Sequence, residues 1–116
     1  MKILACGDRN WINGSAIRRE LEKYPLDTII IHGAARGADS IAGSIALSLG
    51  MQVEVYPAQW NLYGKGAGPI RNKQMLDEGK PDKVLAFHEN IESSKGTKDM
   101  VKISQEAEIE VEIFTK

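Results

Sequence analysis

Four short stretches of this chain carry side chains suited to receiving negative charge. They are Gly7-Asp8-Arg9, Gly33-Ala34-Ala35-Arg36-Gly37 with Asp39, the run from Lys65 to Asn72, and Lys95-Gly96-Thr97. Arginine presents a rigid fork of N–H donors that matches a phosphate. Glycine lets a backbone approach a ligand closely, and alanine adds almost no bulk. The second stretch is the one around which the others are arranged. It follows the apolar run Ile29-Ile30-Ile31 and leads into a helix that starts near Asp39. Strand, glycine loop and helix start together aim several backbone N–H groups at one point, which is how proteins hold anions. The expectation is that this loop holds a phosphate of a nucleotide-like ligand.

Each residue also has a plainer reading. Arg36 either clamps an anion or sits in solvent. Asp39 either caps its helix or meets a ribose hydroxyl. Asp8 either orients Arg9, accepts a hydroxyl, or forms a surface ion pair with it. Arg71, expected in the first turn of a helix, opposes the helix dipole there, which a bound anion would offset. Trp60 and Tyr63 stack on a base, cover the site, anchor their loop, or form a subunit contact. Cys6 reads as a buried core thiol, because no partner for a nucleophilic cysteine stands near it. His32 and His88 end strands without a second ligand at metal spacing, so no metal is expected. Met75 and Met100 fall on helix stripes and read as core. The glycine loop lacks the third glycine of the dinucleotide fingerprint and has no Walker lysine.

The elements that must position these groups alternate. Strands are expected at 2–6, 28–32, 52–56, 83–88 and 110–114, the last alternating like an edge strand. The first helix opens on Asn13 as N-cap, carries Ile17, Leu21 and Tyr24 on one face and ends at Pro25. The second spans 38–49, with Ile41, Ile45, Ala46 and Leu49 as its stripe and Gly50 as its stop. A long loop from Pro57 leads to a third helix with Pro69 at its first position. Thr97 is read as the N-cap of the last helix, with Met100, Ile103 and Ala107 on its buried side. A strict β-α alternation with short connections calls for a parallel sheet covered by helices on both faces. Ligands of such sheets lie beyond the carboxyl ends of the strands. All four charged or glycine-rich stretches follow strands, so they are expected on one rim.

The remaining bounds are ordinary. At 116 residues, with 42% hydrophobic and 27% charged residues, the chain is expected to form one globular domain. A formal net charge of −1 offers no general field for nucleic acid. The single cysteine excludes an internal disulfide and fits a reducing, cytoplasmic setting. Nothing reads as a signal peptide or a membrane span.

Taken together, CGDRNW (6–11), HGAARGADSIA (32–42), YPAQWNLYGKGAGPIRNKQM (56–75) and KGTKDM (95–100) resemble the SLOG superfamily, above all its small YspA-like members. The second stretch is also similar to the glycine loop of DprA-type DNA-processing proteins. The resemblance implies an α/β, Rossmann-like three-layer sandwich with a five-stranded, mostly parallel sheet in the order 3-2-1-4-5. It implies nucleotide-derived ligands at the strand ends, and it adds Trp11 to the expected ligand contacts. LOG-type phosphoribohydrolases, more distant relatives, carry an R-x-x-x-M element that Arg71 to Met75 matches. Their P-G-G-x-G-T-x-x-E element is matched only in part: Gly96-Thr97 is present, but Met100 stands where the catalytic glutamate would be. Methionine can neither transfer a proton nor stabilise an oxocarbenium ion. Asp99, one residue away, is rotated by about 100° on a helix and is expected to point elsewhere.

The resulting expectation is a binder of an ADP-ribose-type or other phosphoribosyl ligand, acting as a sensor or a sequestering protein, with no cofactor. Phage or mobile-element conflict is one setting for it, self-association is expected, and any signalling output would need a partner. The alternative is a nucleotide N-glycosidase or phosphoribohydrolase, with Arg71 in the site. A DNA-processing role stands third, because no basic cluster supports it. Arg71→Ala, or replacing Gly37 with a β-branched residue, is expected to abolish binding and leave melting largely unchanged.

Overall fold

The computed structural model describes residues 1–116. Five parallel strands form one sheet: β1 (Lys2–Gly7), β2 (Ile29–His32), β3 (Gln52–Val55), β4 (Lys83–Phe87) and β5 (Glu110–Phe114). Their order is β3-β2-β1-β4-β5, as the resemblance implied. The chain moves outward from β1 to β3, then returns to pair β4 against the other side of β1. The strand order therefore reverses between β1 and β4.

The pleat divides the core in two. Ile3 and Ala5 of β1 and Leu85 and Phe87 of β4 face one layer, with Ile17, Leu21, Ala38, Ala42 and Ala46 from α1 (Gly14–Leu21) and α2 (Ala38–Ser48). Leu4, Cys6, Val84 and Ala86 face the other, where Met75, Met100 and Val101 cover them. That second layer is built by α4 (Ala67–Gln74), the single π-helical turn Met75–Gly79 that continues it, and α5 (Gly96–Glu106). Alternate residues of a strand point to opposite faces, so one short apolar run can supply both layers.

Several helix boundaries differ from the sequence expectation. Asn13 does cap α1, its Oδ1 accepting the Ala16 amide at 3.1 Å. That helix stops at Leu21, ahead of Pro25, and Tyr24 packs on the core from the turn that follows. The sheet-facing stripe of α2 is Ala38, Ala42 and Ala46, each fully buried, while Ile41, Ile45 and Leu49 flank it half-buried. Small side chains let this helix sit close to the sheet. Gly43 serves the same purpose, because a Cβ there would lie 2.5 Å from the His32 ring. The segment after Pro57 contains a short helix, α3 (Trp60–Tyr63), and a 3-10 turn at Gly64–Gly66. Because α4 starts at Ala67, Pro69 is its third residue and Arg71 lies in its second turn. Proline is accepted there because the first-turn N–H groups need no helical partner. Thr97 does not cap α5. It is buried in the first turn, and its own amide donates to Ser94 Oγ at 3.0 Å. On α5, Ala107 is exposed, and Val101 and Ser104 take the buried face instead.

Gly37, the residue preceding α2, has φ 81, in the left-handed region. A Cβ on it would stand 2.5 Å from the Arg9 carbonyl oxygen and closer still to that of Asp8. The loop after β1 packs directly on this glycine, and the Ala38 amide donates to Asp8 O at 3.1 Å. The expectation of unchanged melting is therefore revised. Gly37→Val should lose at least about 2 kcal/mol of stability, read as a fall in the thermal or urea midpoint. An unchanged midpoint would mean that the two loops are not packed in this way.

Candidate functional site

A cleft of about 690 Å³ opens beyond the carboxyl ends of the strands, lined by residues that follow β1, β2, β3 and β4. Its location matches the point where strand order reverses, the usual ligand position in open parallel sheets. Cys6, Met75 and Met100, each nearly buried, contribute to its lining. Burial holds the Cys6 thiol far above its ordinary pKa, with the Asp39 charge adding to the rise and Arg71 opposing it. It stays a neutral core group.

The central carboxylate is Asp39, only 4% exposed. Its Oδ2 accepts the Gly33 amide at 2.9 Å, and the amides of Ala35 and of Asp39 itself lie near enough to pull its pKa down. The glycine loop thus closes on its own acid. Other loop amides are engaged as well: Ala34 N–H donates to His32 Nδ1 at 3.0 Å, and Ala38 N–H to Asp8 O. Part of the phosphate cradle expected from the sequence is thus held by the protein itself, while the amides of Ala35, Arg36, Gly37 and Asp39 have no acceptor within the chain.

Arg71 faces this carboxylate. Its Nη1 donates to the Gly33 carbonyl and its Nε donates to Asn72 Oδ1 at 3.1 Å. Gly33 is needed for this contact, because any Cβ would overlap the guanidinium. Asn72, 3% exposed, passes the connection on: its Nδ2 donates to Gly96 O at 3.2 Å and to Asp99 Oδ2 at 3.0 Å. One chain of hydrogen bonds therefore joins the loop after β2, α4 and the start of α5. The expectation that Asp99 points elsewhere is corrected, since Asn72 holds it in the cleft wall.

The start of α5 presents further unsatisfied donors. The amides of Gly96 and Lys98 have no acceptor within the chain. Lys95 is exposed beside them, and a Cβ on Gly96 would meet nothing within 4 Å. Free N–H groups, a helix dipole and an ammonium group converge there, which suits an oxyanion.

The structure sorts the sequence candidates. Gly7, Asp8, Arg9, Ala35, Asp39, Trp60, Lys65, Arg71, Asn72, Lys95, Gly96 and Thr97 line the cleft together. Trp11, Gly33, Ala34, Arg36 and Gly37 do not. Trp11 is 7% exposed, tilted against Phe87 at 5.8 Å between centroids, with its Nε1 donating to Asn13 O. Gly33 lies under Arg71, and Gly37 under the first loop. Arg36 turns outward onto Arg9 O and Asn10 Oδ1, each at 3.4 Å, and ties two loops together. Ala34 is exposed in a left-handed conformation, φ 60. His32 packs under Gly43, where burial, then Arg71, lowers its pKa.

Sequence reasoning did not name Ser93, Ser94 or Asn10 for the site, and it left His88 between a satisfied histidine and a hydrogen bond to ligand; all four line the cleft. His88 Nδ1 accepts the Asn90 amide at 3.0 Å, leaving Nε2 toward Asp8 Oδ2 at 3.9 Å. Its position directly after β4 was the available signal. The serines offered one too, since they precede a glycine that opens a helix.

A sheet of this order with its cleft at the reversal point defines a Rossmann-like ligand-binding domain. Matches to known proteins narrow the class. A family model, YAcAr, described as "YspA, cpYpsA-related SLOG family", matches residues 1–63. The gene 61 protein of Mycobacterium phage D29 is 35% identical over 119 aligned positions, covering 95% of this chain and 93% of that protein. No solved structure gives a significant match. The chain belongs to the YspA, cpYpsA-related SLOG family, and membership implies a role tied to nucleotide-related ligands. No helix is long and apolar enough to cross a membrane.

Burial is the main cause that raises the Asp39 pKa from 3.8 to about 6, against the opposing pull of its amide bonds and Arg71. A folded value above the unfolded one means that the native state keeps a proton the unfolded chain has already released. The corresponding stabilisation is complete below about pH 4 and is lost as pH rises through about 6. Compared with Asp39→Asn, the parent protein should lose roughly 3 kcal/mol between pH 4 and pH 7. Urea unfolding of both proteins across that range checks this. A stability difference independent of pH would place Asp39 in contact with water.

Proposed function

We propose that this protein binds a nucleotide-derived small molecule, of ADP-ribose or another phosphoribosyl type, and does not cleave it. The phosphate is seated at the start of α5, against Gly96, Thr97 and Lys95, with Arg71, Arg9 and Lys65 supplying further positive charge around the cleft. The observation that carries this reading is the condition of the carboxylates. All three acids of the cleft already hold structural hydrogen bonds: Asp8 to the Asn10 amide, Asp39 to the Gly33 amide and Asp99 to Asn72. Met100 is 1% exposed and belongs to the core. A glycosidase needs a carboxylate free to transfer a proton or to stabilise developing positive charge.

A sensor or sequestering role fits a binder without chemistry, and the phage relative supports a mobile-element setting. Self-association belongs to the same proposal, with exposed Leu47 on α2 and Ile12 ahead of α1 supplying apolar area. So does a cytoplasmic location, on the single buried cysteine. The hydrolase reading keeps one observation in its favour, the approach of His88 to Asp8.

Incubation with adenosine monophosphate and ADP-ribose, followed by chromatography and calorimetry, separates the two. Binding with the nucleotide recovered intact is expected. Arg9→Ala and Lys95→Ala, both exposed positions, should each weaken binding roughly three- to tenfold, with melting unchanged and affinity falling as salt is added. Release of free base would make the protein an enzyme.

A further inference from the structure

The two tryptophans of this chain have opposite fates. Trp11 is 7% exposed, packs on Phe87 and donates its indole N–H to Asn13 O, so it is structural. Trp60 is 58% exposed and lines the cleft that holds Arg71, Lys95 and the start of α5. Its indole N–H has no acceptor in the chain. The segment that carries it, residues 60–66, is exposed throughout, so its ring is not there to anchor the segment. The edge of the ring rests over Gly68, where a Cβ would be 3.5 Å from Cη2. A bare glycine at that place supports the indole and leaves a face of it open.

Its neighbours do not share this orientation. Leu62 is not part of the cleft, and Tyr63 lines a separate groove with Pro57, Gln59 and Ile70. Trp60 thus faces a different opening from Tyr63. It is a flat aromatic surface presented to a cleft whose other walls are cationic and hydrogen-bonding. A sugar phosphate has polar groups for those walls but no planar base to stack on the indole. A nucleotide has both.

We propose that Trp60 is the specificity-determining residue of this site, stacking on the planar base of the ligand, so that the cleft selects nucleotides over sugar phosphates. This rests on the nucleotide-binding reading above. Base–aromatic stacking commonly changes affinity by about ten- to a hundredfold, without strong preference among bases.

Adenosine monophosphate and ribose 5-phosphate differ by the base alone and are the probes. Calorimetric titration of the parent protein should give a tighter constant for the nucleotide, by about tenfold or more. Trp60→Ala should bring the nucleotide down to the level of ribose 5-phosphate and leave ribose 5-phosphate unchanged, while Trp60→Phe keeps most of the preference. Nucleotide binding should also alter indole fluorescence in the parent protein, and ribose 5-phosphate should not. If Trp60→Ala binds both probes as the parent does, the stacking role is wrong and the nucleotide reading survives. The stacking role is equally wrong if Trp60→Ala changes only the oligomeric state. If the parent protein binds neither probe, both readings fall.

Discussion

A buried carboxylate facing a pinned guanidinium is the constraint on which the site depends. Asp39 is nearly out of reach of water, and its carboxylate holds the Gly33 amide of the loop after β2. Arg71 offsets part of the cost of burying that charge and is locked in turn by the Gly33 carbonyl and Asn72. Asn72 then fixes the first turn of α5 through Gly96 and Asp99. Breaking one partner of a buried charged network leaves the other uncompensated, which is why such networks move as a unit or not at all. Part of the glycine loop takes on bracing instead of offering its amides, and open donors lie both at its remaining amides and across the cleft at α5.

That exchange of roles explains how much of the molecule was legible in its sequence. Strand positions and the Asn13 cap were readable because short apolar runs, turn residues and caps are local signals, while the sheet order came from the family resemblance. The shared rim was readable because every charged stretch follows a strand. What escaped were matters of three-dimensional competition. Nothing in a linear reading says whether loop amides meet a ligand or the protein's own acid six residues on. Nothing says that Asn72 will reach across and hold Asp99 in the wall. The alanine stripe of α2 was missed because hydropathy favours Ile41 and Ile45, whereas close packing on a sheet favours the smaller residue. Ser94 supplanted Thr97 as the acceptor at α5 because the helix begins one turn position earlier than its threonine suggests.

The glycines sort by the same logic. Gly33 and Gly37 read as bare backbone offered to a ligand, yet Gly33 makes room for Arg71 and Gly37 makes room for the first loop. Gly96 has open space before it, and it is the one that lies where an anion can approach. Two glycines of a motif of this family type can thus serve internal packing.

The most direct test is an amide-resolved NMR titration with inorganic phosphate, which asks where the rim receives negative charge. The account predicts the largest shifts at Gly96 and Lys98 and at the Arg71 side chain, with Gly33, Ala34 and Ala38 little changed. Shifts concentrated in residues 33–39, with α5 silent, would contradict it.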